Sequence, residues 1–112
     1  MQYTLNIKLK NGRKAFFGPG PARLLEYVEK GNSLNQAAAQ LGMAYSKAWR
    51  IIHEAEEALG YALLERKRGG KDGGGSALTA NAQKLMQSYG QFQQQMYEHG
   101  NQLFEEYFGA PT

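Results

Sequence analysis

Residues 33–53 read Ser33-Leu-Asn-Gln-Ala-Ala-Ala-Gln-Leu-Gly-Met-Ala-Tyr-Ser-Lys-Ala-Trp-Arg-Ile-Ile-His53, and the spacing of the small and apolar residues here decides the fold. Ser33 can cap a helix from Leu34 to Leu41, with Gln36 placed three residues on to complete a reciprocal capping box. Gly42 closes that helix. A second helix runs from about Tyr45 to Leu59, where Gly60 ends it. Ala37 and Leu41 face inward from the first helix, and Met43, Ala48 and Ile51 or Ile52 seat the second. Ala38 is small where the two helices cross steeply, which is the pattern of a helix-turn-helix.

On the amino-terminal side, residues 3–9 alternate apolar and polar, with Tyr3, Leu5, Ile7 and Leu9 on one face of a half-buried strand. Asn11-Gly12 suits a type I′ turn, and Ala15-Phe16-Phe17 returns, giving a hairpin over 3–17. Gly18-Pro19-Gly20-Pro21 is read as a break in regular structure, with Pro21 opening a helix from Ala22 to Lys30 that Gly31 closes. On the carboxy-terminal side, Leu63 to Arg66 and Ala77-Leu78 are short strands around the glycine-rich run 67–76. Thr79 caps a final helix from about Ala80 towards Phe108. The expected fold is mainly α with a small β component. It is a winged helix-turn-helix over 1–79 (hairpin 3–17, helix-turn-helix 33–59, wing 63–79), with a long dimerisation helix over 80–108.

The second helix of the pair is expected to enter the major groove of double-stranded DNA by its amino-terminal half. Ala48, Ile52, Ala55 and Leu59 form its inward stripe, which turns Tyr45, Ser46, Lys47 and Arg50 outward. Arg50 is the best placed for a bidentate contact with guanine. Ser33 is either a phosphate donor or, more simply, a cap. In the wing, Arg66, Lys67, Arg68 and Lys71 bracket glycines that let backbone approach phosphates closely, and such cations supply salt-dependent affinity. Trp49 flanks the inward stripe, so its ring is expected to pack between this helix and the domain body.

Composition narrows the function further. The 112 residues carry a net charge of +3 and no cysteine, which excludes a disulfide framework and thiolate chemistry. Residues 1–79 hold 12 Lys/Arg against 7 Asp/Glu, whereas 80–112 hold a single lysine against three glutamates, so a basic front precedes a weakly acidic tail. His53 and His99 lie far apart, with no metal-ligand spacing. Glu54, Glu56 and Glu57 read as a solvated helix face. The glycine patterns of nucleotide-binding loops are absent. No catalytic residue, metal or cofactor is expected. With no secretory leader and no apolar run long enough to span a bilayer, a cytoplasmic location without membrane contact is expected.

Leu85, Tyr89, Phe92, Met96 and Leu103 recur along the last helix, after Ala82, at steps near a heptad. Met86, Tyr97, Phe104, Tyr107 and Phe108 lie beside them. This seam is expected to pair with that of a second copy in a two-fold homodimer, making the operator a pseudo-palindrome. The alternative is that the tail docks back on the amino-terminal hairpin and buries Tyr3, Leu5 and Ile7. Gly90 and Gly100 are points where the helix can break.

Residues Ser33 to Met43 resemble the helix-turn-helix of LysR-type regulators. With Tyr45-Ser-Lys-Ala-Trp-Arg-Ile-Ile, the wing from Leu64 to Thr79 and Phe17-Gly18-Pro19-Gly20, nearly the whole chain is similar to the DNA-binding domain of ModE-type molybdate-responsive regulators. That resemblance implies a transcriptional regulator in molybdate- or tungstate-related gene control. Full-length members of the family carry a separate oxyanion-binding module after the long helix. This sequence reaches Thr112 only four residues past Phe108, so the module is expected to be missing and the oxyanion effector stays open. Two other functions remain: a protein-interaction module acting on another regulator, and a direct oxyanion sensor using the basic wing.

Overall fold

A computed structural model of the chain describes residues 1–66 and 75–109. The elements follow in the order β1 (Leu9–Asn11), β2 (Lys14–Phe17), α1 (Pro19–Glu29), α2 (Leu34–Gln40), α3 (Tyr45–Leu59), β3 (Leu64–Arg66), β4 (Ser76–Leu78) and α4 (Ala80–Phe108). The strands form two antiparallel pairs, β1 with β2 and β3 with β4. The second pair is the stem of the wing, its register set by Leu64 opposite Leu78 and Arg66 opposite Ser76.

The core lies where α1, α2 and α3 meet, closed by the hairpin and the wing stem. Phe17, Leu24, Leu25 and Leu63 are its largest fully buried side chains. Between them Ala37, Ala38, Ala48, Ala55 and Ala82 are almost completely buried. Such small residues let helix backbones approach closely, so each wall of the core is held by dispersion as well as by area removed from water. No buried polar or charged side chain occurs among the described residues.

Several expectations are met closely. Ser33 and Gln36 form the capping box in both directions: Gln36 N donates to Ser33 Oγ at 3.1 Å and Ser33 N to Gln36 Oε1 at 2.8 Å. Thr79 Oγ1 accepts from Ala82 N at 3.1 Å and opens α4. That helix runs unbroken through Gly90 and Gly100 for 29 residues, about 43 Å at the usual rise. The molecule is correspondingly elongated, 61 × 30 × 25 Å.

Three details differ. The hairpin turns on Gly12-Arg13, not on Asn11-Gly12, because Asn11 pairs with Lys14. Gly12 has φ +62° while no other residue type has positive φ among the described residues, which is the glycine-first arrangement of a type II′ turn. Gly18-Pro19-Gly20-Pro21 opens α1 instead of interrupting the chain. Both prolines fall in the first turn, where backbone N–H groups have no helical partner to lose, and the first helical bond, Ala22 N to Gly18 O at 3.0 Å, lies just beyond them.

The third difference concerns residues 3–8, expected in a strand. They are extended but pair with no strand; they lie along α4. Tyr89 Oη donates to Ile7 O at 2.8 Å, Tyr97 Oη accepts from Leu5 N at 3.3 Å and donates to Leu5 O at 3.2 Å, and Tyr3 Oη donates to Asn101 Oδ1 at 2.6 Å. The Tyr3 ring stacks at a tilt on Phe104, with centroids 4.9 Å apart. The alternation in the sequence was therefore a covered face, and a helix covers it. This arm uses Tyr89, which was expected at a dimer seam. The side chain is 6% exposed, packed edge-on against Phe17 at 5.2 Å. Burial, with the nearby Tyr97 as a lesser cause, holds the Tyr89 phenol above its ordinary pKa.

Candidate nucleic-acid interface

The turn between α2 and α3 is a tight one. Gly42, at φ +68°, takes a left-handed conformation that a side chain would strain, and Met43 N then donates back to Ala38 O at 3.0 Å. Ala48 and Ile52 anchor α3 in the core, which fixes the rotation of its opposite face. Tyr45, Ser46, Lys47 and Arg50 are all exposed on the amino-terminal half of α3. Ala44, the residue before the helix, provides no side-chain cap, so the first-turn N–H groups of α3 lack the side-chain partner that Ser33 and Thr79 give α2 and α4. Those groups carry the positive end of the helix dipole.

The wing stem sits beside α3 because of Glu56. Its Oε2 accepts from Leu63 N at 2.7 Å and from Leu64 N at 3.4 Å, tying the start of β3 to the helix. Thr79 Oγ1 donates to Ala62 O at 2.7 Å and secures the other strand's exit. The expected solvated role of Glu56 is therefore corrected. Nothing in the sequence distinguishes it from Glu54 and Glu57, since the cue is a partner in another element.

Between α3 and the wing stem lies a cleft of about 260 Å³ walled by Tyr45, Trp49 and His53 on one side and by Leu64, Arg66 and Ser76 on the other. A second hollow brings Ser33, Asn35, Tyr45 and Ser76 together. The structure thus gathers Ser33, Tyr45 and Arg66 around the α3–wing junction, while Lys47 and Arg50 occupy the outward face of α3. Ser33 Oγ is committed to its cap. Lys67, Arg68 and Lys71 lie outside the described residues. Trp49 is not in the core: it is 51% exposed and stacks on His53, centroids 4.6 Å apart at 13°. The reason is angular. Ala48 and Ile52 take the centre of the buried face, and Trp49 lies about 100° round from Ala48 on a helix of 3.6 residues per turn.

Of the seam residues, Leu85 is half-buried against the core, and Phe92, Met96 and Leu103 stay exposed. No cluster of three His, Asp or Glu suited to a metal occurs among the described residues, and no described helix is long and apolar enough to cross a membrane.

A capped helix-turn-helix with a cation-bearing outer helix and a strand-built wing defines a winged helix-turn-helix regulatory protein. Residues 22–83 match the bacterial regulatory helix-turn-helix proteins of the lysR family, and the chain belongs to that family. It is 36% identical over 101 residues to the DNA-binding transcriptional dual regulator ModE of Escherichia coli K12, covering 88% of this chain and 38% of that protein. It is 39% identical over 88 residues to the transcriptional regulator ModE of Haemophilus influenzae, covering 79% of this chain and 34% of the relative. With the molybdenum transport protein ModE of Herbaspirillum seropedicae it shares 35% over 75 residues, 67% of this chain and 28% of the other. The chain thus spans less than two fifths of the length of these relatives.

Proposed function

We propose that this chain binds double-stranded DNA as a homodimer and regulates transcription in molybdenum-related gene control. In this reading α3 lies in the major groove, the wing follows the backbone, and α4 pairs the two copies. One observation carries it: Tyr45, Ser46, Lys47 and Arg50 share the exposed amino-terminal half of a helix whose opposite face is locked in the core. Charge supports it, since 12 of the 13 Lys/Arg residues fall in 1–79, the part of the sequence that holds that helix. The names of the relatives, a DNA-binding regulator and a molybdenum transport protein, supply the biological setting.

The test is fluorescence anisotropy on a duplex selected by the protein from a randomised pool, repeated across a salt series. Affinity is expected to fall linearly with salt on logarithmic axes, by about 0.9 per phosphate contacted. Arg50→Ala is expected to flatten the ranking of duplex variants, at a cost of about 1–3 kcal/mol on the preferred duplex, whereas Arg66→Ala lowers the salt slope by about one and keeps the ranking. An unchanged ranking in Arg50→Ala overturns the placement of α3. Molybdate added alone is expected to leave the melting temperature unchanged; a rise would favour a direct oxyanion sensor.

A further inference from the structure

Trp49 takes no part in the contacts proposed for α3 and the wing. An indole that is half-exposed on a helix otherwise turned to the core by alanines leaves a large apolar area in water. Its setting is nonetheless built. The His53 imidazole covers one face of the ring at 4.6 Å and 13°, and His53 Nε2 lies 3.3 Å from Glu57 Oε1 one turn further on. The row Trp49–His53–Glu57 thus backs one face of the ring, and the half-exposed indole lines the cleft between α3 and the wing stem together with His53. Tyr45, one turn earlier and 50% exposed, continues the aromatic wall. Arg66 lines the same cleft, and Arg50 follows Trp49 about 100° further round the exposed side of α3, so cations complementary to a polyanion flank the apolar patch.

We propose that the free face of Trp49, held flat by His53, reads the C5-methyl group of a thymine in the major groove. This rests on the DNA-binding reading of α3. Within the major groove the thymine methyl is the one alkyl group that a base edge offers, beside hydrogen-bond donors, acceptors and ring C–H groups. An indole face buries that methyl group and offers no partner to the acceptors. The stack on His53 pre-orients the ring, so little side-chain freedom is lost on binding. Trp49 is then a specificity-determining residue, and His53 is a positioning residue that acts through it.

The experiment uses the full 112-residue chain and a duplex selected from a randomised pool. Each thymine of that duplex is replaced singly by uracil, which removes the methyl group and leaves the pairing edge intact. For the wild type, one position is expected to lose affinity by about fourfold, the effect of burying one methyl group. Trp49→Ala is expected to bind the thymine and uracil forms of that position equally, and Trp49→Phe to keep a reduced preference. His53→Ala should diminish the preference at the same position and no other, which a merely structural role would not do; an undiminished preference overturns the positioning role. A wild type indifferent to every replacement, or a Trp49→Ala variant that keeps the full preference, overturns the inference while DNA binding stands. A pool from which nothing is enriched overturns the DNA-binding reading itself, and the inference with it.

Discussion

Gly90 and Gly100 sit ten residues apart in the same helix, yet their surroundings are opposite. An added Cβ at Gly90 meets nothing within 4 Å, whereas one at Gly100 falls 2.7 Å from Tyr3 Oη and 3.3 Å from the ring carbons beside it. Glycine costs a helix interior about 1 kcal/mol relative to alanine. Gly90→Ala is therefore expected to raise the melting temperature by about 4 °C in differential scanning calorimetry. Gly100→Ala gains the same propensity but pushes Tyr3 off its contacts with Asn101 and Phe104. Its melting temperature should stay at or below that of the wild type, with faster proteolytic clipping of residues 1–8. A second residue-scale test concerns Tyr89. Its phenol ionises later in the folded chain than in the unfolded one, so the neutral form stabilises the fold fully below pH of about 10, and that contribution is lost as pH rises further. Ultraviolet titration should show a late-ionising phenol, and Tyr89→Phe should remove that step.

At the scale of elements, local signals in the sequence sufficed wherever a residue's partner lies within one turn. Ser33 with Gln36, Thr79 with Ala82, and the inward stripe Ala48–Ile52–Ala55 were all legible because caps and helical spacing are short-range geometry. The start of α1 was misread because a glycine–proline run is ambiguous: it breaks a helix interior but is harmless in a first turn. The arm forms no paired strand; the alternative arrangement, the tail docked on Tyr3, Leu5 and Ile7, is the one found, because alternation reports that one face is covered and not what covers it. Trp49 followed the same logic, since a position 100° from the buried centre can go either way until the wing is placed. Glu56 was illegible because its partners, the N–H groups of Leu63 and Leu64, come from the next element. Glu56→Ala leaves those donors without a partner in a part-buried site, which costs about 1–2 kcal/mol. It also frees the wing stem from α3. Chemical denaturation should show that loss, and the salt slope for DNA should fall as well, whereas Glu54→Ala should change neither.

For the whole molecule, the deciding fact is that the arm covers only one side of α4. Tyr97, Gly100 and Phe104 lie beneath it, while Phe92 and Leu103 remain 53% exposed and Met96 42% exposed on the neighbouring stripe, with Tyr107 and Phe108 exposed beyond them. The hollow part of the seam is therefore shorter than the heptad pattern suggested, since Ala82 and Tyr89 are consumed within the chain. A stripe of this kind on a helix that extends past the domain favours a partner with the same stripe, and two-fold pairing would satisfy both copies at once. In such a dimer the two copies of α3 would meet DNA on one face, about one or more helical turns apart, and select a pseudo-palindrome. Sedimentation equilibrium is expected to give twice the 12.5 kDa chain mass at micromolar concentration. Phe92→Ser with Leu103→Ser should bring it to the monomer, because neither side chain supports the core and the fold should survive. That variant should keep its preference for a half-site while losing the gain in affinity from a second, inverted one. A wild type that stays at 12.5 kDa at high micromolar concentration overturns the dimer and the symmetry of the operator together.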